Sequence, residues 1–252
     1  MIKFLNIILL CVVLLIAFCP DYTNAQENNE TITLNYEPKL SGEVYNFSMR
    51  SGGDDYYLEN DWIRGDILLT SGKKVKNKQI KYNCYLDELI WLSAKSYQQV
   101  KVDKNLIEEF TIYLSGKQEP AVFKNVVLDR SLAKEPKNTF LQKLYEGNIS
   151  LMAHRSVKKT GERLVSSSSG LILVPRLSAE PEFYILTEDN EILEVQRLRR
   201  RSLYNIFPEK RDQIRSVFRD ERLRIRSEDD LIQAVSLIDE IVSKSAHKSN
   251  NF

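Results

Sequence analysis

Apolar and polar positions alternate with period two along most of this chain, in short segments separated by turn residues, and only the C-terminal part switches to a helical period. Ile63 to Thr70 reads as a strand, Ser71-Gly72 as a turn, and Lys76 to Tyr85 as the returning strand. After a turn at Asp87-Glu88 comes a strand through Ile90-Trp91-Leu92. Gln99 to Val102 follows, then Phe110 to Leu114, where Phe110, Ile112 and Leu114 share one face. Gly116 turns the chain into Val122 to Leu128, and Phe140 to Tyr145 fits helix and strand alike. Ile149 to Val157 alternates after a turn at Glu146-Gly147-Asn148. Lys158 to Gly170, with four consecutive serines, reads as a loop, and Leu171 to Val174 as a short apolar strand stopped by Pro175. Phe183 to Leu186 and Ile192 to Val195 flank Glu188–Glu191 as a hairpin.

Two helices close the pattern. Pro208-Glu209 places proline and an acid in a first turn, and Ile214, Val217 and Phe218 form the stripe that follows. Ser227-Glu-Asp-Asp230 is a capping-box-like start for a second helix, on which Leu231, Val235, Ile238 and Val242 share a face. Strands first and helices last predict an α+β fold, predominantly β. The expected form is an antiparallel sheet, sandwich or partly open barrel of short strands with two C-terminal helices. Its expected limits are a β-rich domain over 26–200, a helical segment packed on it over 201–244, and a disordered tail over 245–252.

The stretch from Trp62 to Trp91 has the best-punctuated strand signals, and its core candidates are Trp62, Ile67, Leu69, Tyr82 and Leu89. Within it, Trp62-x-x-Gly65-x-Ile67-x-Leu69-x-x-Gly72 followed by Lys81-Tyr82-Asn83-x-x-x-Asp87-Glu88-Leu89 resembles a pattern of uncharacterised, signal-peptide-bearing proteins of Gram-negative bacterial envelopes. Those proteins also end in a strand hairpin, a basic segment and a helix pair. The resemblance implies location and architecture and brings no activity with it.

The N-terminus points the same way. Lys3 precedes an apolar run from Ile7 through Phe18, too short to span a bilayer comfortably, and Thr23-Asn24-Ala25 fits a signal peptidase site. Cleavage after Ala25 and export to the periplasm or beyond are expected. A lipoprotein anchored through Cys19 is the rival, disfavoured by the bulky Phe18 before it. Loss of the leader would remove Cys11 and Cys19 and leave Cys84 alone, so no internal disulfide could staple the domain. No later segment reaches the apolar length of a transmembrane span.

Candidate chemistry is sparse. Two histidines, His154 and His247, and one cysteine outside the leader lack metal-ligand spacing, and no cofactor is implied. The oxygen-rich stretches Ser51–Asp55 and Glu188–Glu191 do not match a calcium loop. Ser166–Ser169 has no nucleophile elbow, and Cys84 with His154 as base is weighed against a buried, inert thiol. The acidic pairs Asp54-Asp55, Asp87-Glu88, Glu108-Glu109, Glu188-Asp189 and Asp229-Asp230 each fit a turn, a helix start or exposed surface. Tyr82, Asn83 and Asp87 read as polar fixings of a hairpin, or as a binding site if they open together into a cleft.

One charge bias remains on a chain of net charge +1. Arg197 to Arg226 holds eleven Arg or Lys against four Asp or Glu, including Arg199-Arg200-Arg201 and Arg222-Leu-Arg224. Those five arginines are candidate contacts to an envelope protein or an anionic membrane surface. The competing reading is a solvated face paired with Glu228–Asp230. Nucleic acid is not expected, because only Tyr204 and Phe207 interleave as stacking aromatics. The leading expectation is a non-enzymatic, partner-binding or envelope-associated domain. A small-ligand binder for a lipid or glycan is second, and a hydrolase built on converging carboxylates is third.

Overall fold

In a computed structural model the chain divides at residue 39, and everything described belongs to the second unit, Leu40–Phe252. The described residues are 42–47, 56–116, 118–168 and 170–249, with side chains described as far as 244. The leader, Cys19, Ser51–Asp55, the side chain of His247 and the last three residues lie outside them.

Among these residues the protein is predominantly β, as the alternation predicts. Eleven strands form one antiparallel, unclosed sheet in the order β1-β5-β4-β3-β2-β6-β7-β8-β9-β12-β13. In chain order these are β1 Gly42–Val44, β2 Ile63–Leu69, β3 Lys74–Asn83, β4 Glu88–Leu92, β5 Gln99–Val102, β6 Ile107–Ile112, β7 Ala121–Leu128, β8 Lys137–Glu146, β9 Ser150–His154, β12 Glu182–Leu186 and β13 Ile192–Glu194. Two more, β10 Val157–Ser167 and β11 Gly170–Ala179, pair only with each other.

The sheet must curl, and chain length says why. Four strand spacings separate β5 from β6, about 19 Å on a flat sheet. Only Asp103–Leu106 joins them, mostly as a 3-10 turn over Lys104–Leu106 that advances about 2 Å per residue. The sheet therefore rolls until the two strand ends meet, and the crossover lies over one mouth of the roll. Inside, Phe110 and Phe123 stack at 4.7 Å, Phe140 stands edge-on to Phe110 at 4.9 Å, and Tyr82 lies 5.0 Å from Phe123. Ile67, Ile80, Leu89, Trp91 and Ile107 complete this core, whereas Trp62 is only half-buried, with the Lys81 ammonium 5.3 Å from its ring centroid. Gly65 is required by close approach, since a Cβ there would sit 2.1 Å from Ile80 Cδ1.

Three helices, not two, follow the strands: α1 Arg200–Ile206, α2 Arg211–Asp220 and α3 Glu228–Ser249. With Ile149, Leu151, Ala153, Phe183 and Ile185 of the sheet, their apolar faces form a second, largely aliphatic core around Leu203, Ile214, Phe218, Leu231, Val235 and Ile238. The short α1 has no side-chain cap and no acid in its first turn, so the usual start signals are missing. Tertiary contacts hold it instead, through buried Leu203 and a hydrogen bond from Arg200 described below.

The segment expected to be a loop is the other correction. Lys158 to Gly170 belongs to a β-arm in which β10 and β11 pair over ten positions, from Val157↔Ala179 to Ser167↔Gly170, with one irregularity between Lys159 and Gly161. Pro175 does not stop β11; it sits opposite Glu162 and the strand continues to Ala179. No helix among the described residues is long and apolar enough to cross a membrane.

Candidate functional site

The structure brings two of the three hairpin residues together, inward rather than outward. The turn after β3 needs a left-handed residue, and Asp87 supplies it at φ 57°, a conformation aspartate tolerates better than most. That turn aims its carboxylate under the sheet. Tyr82 donates its hydroxyl to Asp87 Oδ1 at 2.7 Å and Phe140 donates its N–H to the same oxygen at 3.3 Å. Lys104, on the crossover, donates Nζ–H to Asp87 Oδ2 at 2.6 Å and to the Asn138 carbonyl at 3.1 Å, with its ammonium 4.6 Å from the Phe140 ring centroid. Burial pushes the Tyr82 hydroxyl well above its ordinary value, with the Asp87 charge adding to the shift. Burial also lowers the Lys104 ammonium, and Asp87 opposes that shift. Asn83 turns away from this cluster. Its Oδ1 accepts the N–H of Tyr85 and of Leu86, and its Nδ2 donates to Tyr45 Oη at 2.8 Å.

Behind the pair lies His154, 6 % exposed, with Nε2 at 3.9 Å from Asp87 Oδ2 and Nδ1 at 3.2 Å from Glu182 Oε2. The hydrogen bond from His154, with Lys158 adding a second, holds Glu182 down at about 2. Cys84 opens the turn after β3, and burial pushes its thiol up to about 12, too high for a thiolate nucleophile near neutral pH.

A cleft of about 600 Å³ opens over the Asp87 turn, lined by Gly42, Glu43, Glu88, Lys101, Asp103 and Lys104 among others. Its charges are paired with one another. Lys101 lies 3.7 Å from Glu43 and 3.5 Å from Glu88, and Lys104 serves Asp87. A second cleft of about 370 Å³ touches Cys84 and the side chain of Arg155, whose guanidinium binds Glu228 at 2.6 and 2.8 Å and Gln142 at 2.6 Å. In the first cleft Asp103 accepts the Asn105 N–H, and in the second Glu59 is an exposed carboxylate beside the Arg155–Glu228 pair. Among the described residues no three His, Cys, Asp or Glu side chains gather as a metal site.

The basic segment is different. Arg200 donates Nε–H to the Leu223 carbonyl at 2.6 Å and its other donors reach Leu223 and Phe218 carbonyls. It thereby satisfies carbonyls at the end of α2 and ties α1 to the loop beyond, a structural duty. The same tie folds the two arginine runs onto each other. Arg199 and Arg201 flank the donor, Arg222 and Arg224 flank the acceptor, and all four are exposed without an ion pair among the described residues. Arg215 and Arg219 are placed near Asp212 and Asp220 at 3.9 and 3.8 Å. Of the acids expected to neutralise the run, Glu228 is engaged on Arg155 and Asp230 accepts the N–H of Arg226 and Ser227, while Asp229 is exposed. Arg222 also holds φ 50° where α2 ends, with Leu223 N–H donating to the Phe218 carbonyl, a position that favours glycine.

Lys104 and Glu182 were missed by sequence reasoning, and His154 was weighed only as a metal ligand or a base for Cys84. Each joins Asp87 from a distant strand or turn, and no local spacing signals that. No protein-family model, no curated protein and no solved structure matches the chain.

Proposed function

We propose that this chain is an exported, non-enzymatic β-rich domain that associates with an anionic surface of the cell envelope through Arg199, Arg201, Arg222 and Arg224. One observation carries the reading: the hydrogen bonds from Arg200 to Leu223 join the segments that carry the two arginine runs, and the four flanking arginines are exposed and make no ion pair among the described residues. Clustered cations of this kind are drawn to anionic lipid at about 1 kcal/mol each. Arg222 adds a cation at a left-handed position, φ 50°, that favours glycine. Export rests on the leader pattern of residues 1–25. The non-enzymatic reading rests on an Asp87 whose two oxygens are already occupied and on a protonated Cys84.

The test is sedimentation with vesicles of phosphatidylglycerol and phosphatidylcholine. Binding should require the anionic lipid and weaken with salt. Arg222→Gly should lower it about fivefold, the equivalent of one cation, without loss of thermal stability. Charge reversal at all four positions that leaves binding unchanged would overturn the reading.

A further inference from the structure

The β-arm, which the anionic-surface reading does not use, has an unusual layout. Register sets its faces: Leu164 pairs with Leu173 and Ser166 with Leu171, so all three leucines project from one face. They are 65, 72 and 56 % exposed, the largest apolar exposures on either strand. The opposite face is partly covered, with Val174 buried, Val165 and Ile172 half-buried and Arg163 exposed. The exposed leucines are therefore not the by-product of a ribbon with no neighbours, and a contiguous apolar face left in water marks a contact surface.

Charge then selects the partner. Leu164 through Pro175 contains no charged residue, so the whole distal part of the arm is uncharged. Immediately below, on the two strands, come Arg163 and Arg176 with Glu162 at the level between them, and closer to the body Lys159, paired with Glu162 at 2.7 Å, and Lys158, paired with Glu182 at 2.9 Å. Leu171 stands three positions from the level of Arg163↔Val174, about 10 Å along a strand. An apolar tip over a cationic collar at that spacing matches the apolar-to-headgroup depth of a bilayer interface, about 5–10 Å.

We propose that the arm is a membrane-interface anchor, its Leu164, Leu171 and Leu173 seated among the upper acyl chains and its Arg163 and Arg176 at the headgroup phosphates. This rests on the envelope-surface reading above for its setting, and adds an apolar, salt-resistant contact to an electrostatic one. The arm dips into the interface and does not span, since its outer backbone groups need water or headgroup partners.

The experiment places a reporter at the tip. In the full chain, Leu171→Trp should give a blue-shifted emission component on phosphatidylglycerol–phosphatidylcholine vesicles, quenched by lipids brominated high on the acyl chain, against the background of Trp62 and Trp91. Leu164→Ser/Leu171→Ser/Leu173→Ser should keep the melting temperature and lose roughly tenfold or more of vesicle partitioning measured at high salt. Leu171→Trp emission that stays at its aqueous position on every vesicle overturns the proposal and leaves the leucines to a protein groove. Charge reversal at Arg199, Arg201, Arg222 and Arg224 separates the two readings. If it leaves low-salt binding intact while the Leu171→Trp shift persists, the arginine surface falls and the arm stands. If salt-sensitive binding persists without the shift, the arm falls alone.

Discussion

Each of the two cores contains one buried aspartate, and the two are satisfied by different means. In the aromatic core Asp87 accepts from Tyr82, from the Phe140 N–H and from the Lys104 ammonium. In the helix-covered core Asp239 of α3 accepts the Tyr145 hydroxyl at 3.1 Å and the Ile149 N–H at 2.8 Å, with no cation in its hydrogen bonds. The first carboxylate joins turn, crossover and β8, so its loss would loosen the mouth of the rolled sheet. The second pins α3 onto the turn between β8 and β9. A buried charge balanced by another charge is vulnerable to removal of either one, whereas a carboxylate held by neutral donors leaves nothing charged behind.

That difference is open to attack in order of size. Asp87→Asn keeps the shape and the tolerance of φ 57° and removes only the charge, stranding Lys104. It should cost about 3 kcal/mol, measured by urea unfolding, and Lys104→Met in the same chain should restore part of it. Asp239→Asn should cost only about 1 kcal/mol; equal losses would show that Lys104 is irrelevant. Next in size is Gly147→Ala, whose Cβ would stand 2.3 Å from Asp239 Oδ2 and displace the clamp. About 2 kcal/mol is expected, and Asp239→Ala in the same chain should cancel most of the penalty. Smallest is a pH effect at the back of the Asp87 cluster. Glu182 is held at about 2 against an ordinary 4.5, so its contribution is complete above 4.5 and drains away as pH falls toward 2. Glu182→Gln should flatten the melting temperature against pH in that window. An unchanged slope would remove Glu182 from the account of acid stability.

The elements with one wet face were legible in the chain. β2 alternates along its length because one side packs inward, β3 does so over Ile80–Tyr82 and β6 over Phe110–Ile112, and α3 shows its stripe for the same reason. Three misreadings have physical causes. β8 stayed ambiguous because Phe140 and Leu141 are both fully buried, Phe140 in the aromatic core and Leu141 in a smaller apolar cluster with Leu128, Met152 and Tyr184, which erases the alternation. β10 looked like a loop because most of its residues are exposed on both faces. Nothing local announces α1, which depends on Arg200 finding a carbonyl in another element. Of the site, the Tyr82–Asp87 pair was visible five residues apart, while its cation and its histidine arrive through topology. The arginine bias was visible as a count, but only folding brings the two segments together and commits Glu228 to Arg155.

The join between the arm and the sheet has an evolutionary consequence. His154 ends β9, Glu182 begins β12, and the two sit directly opposite each other with their side chains in contact. The ladder therefore resumes at the register where it left off, as though 155–181 were an insertion at a hairpin bend. Lengthening such an excursion costs only about 0.6 kcal/mol per doubling in closure entropy. The scaffold can thus vary the reach and greasiness of its arm while the sheet's pairing is conserved, a division between what must stay constant and what selection is free to tune.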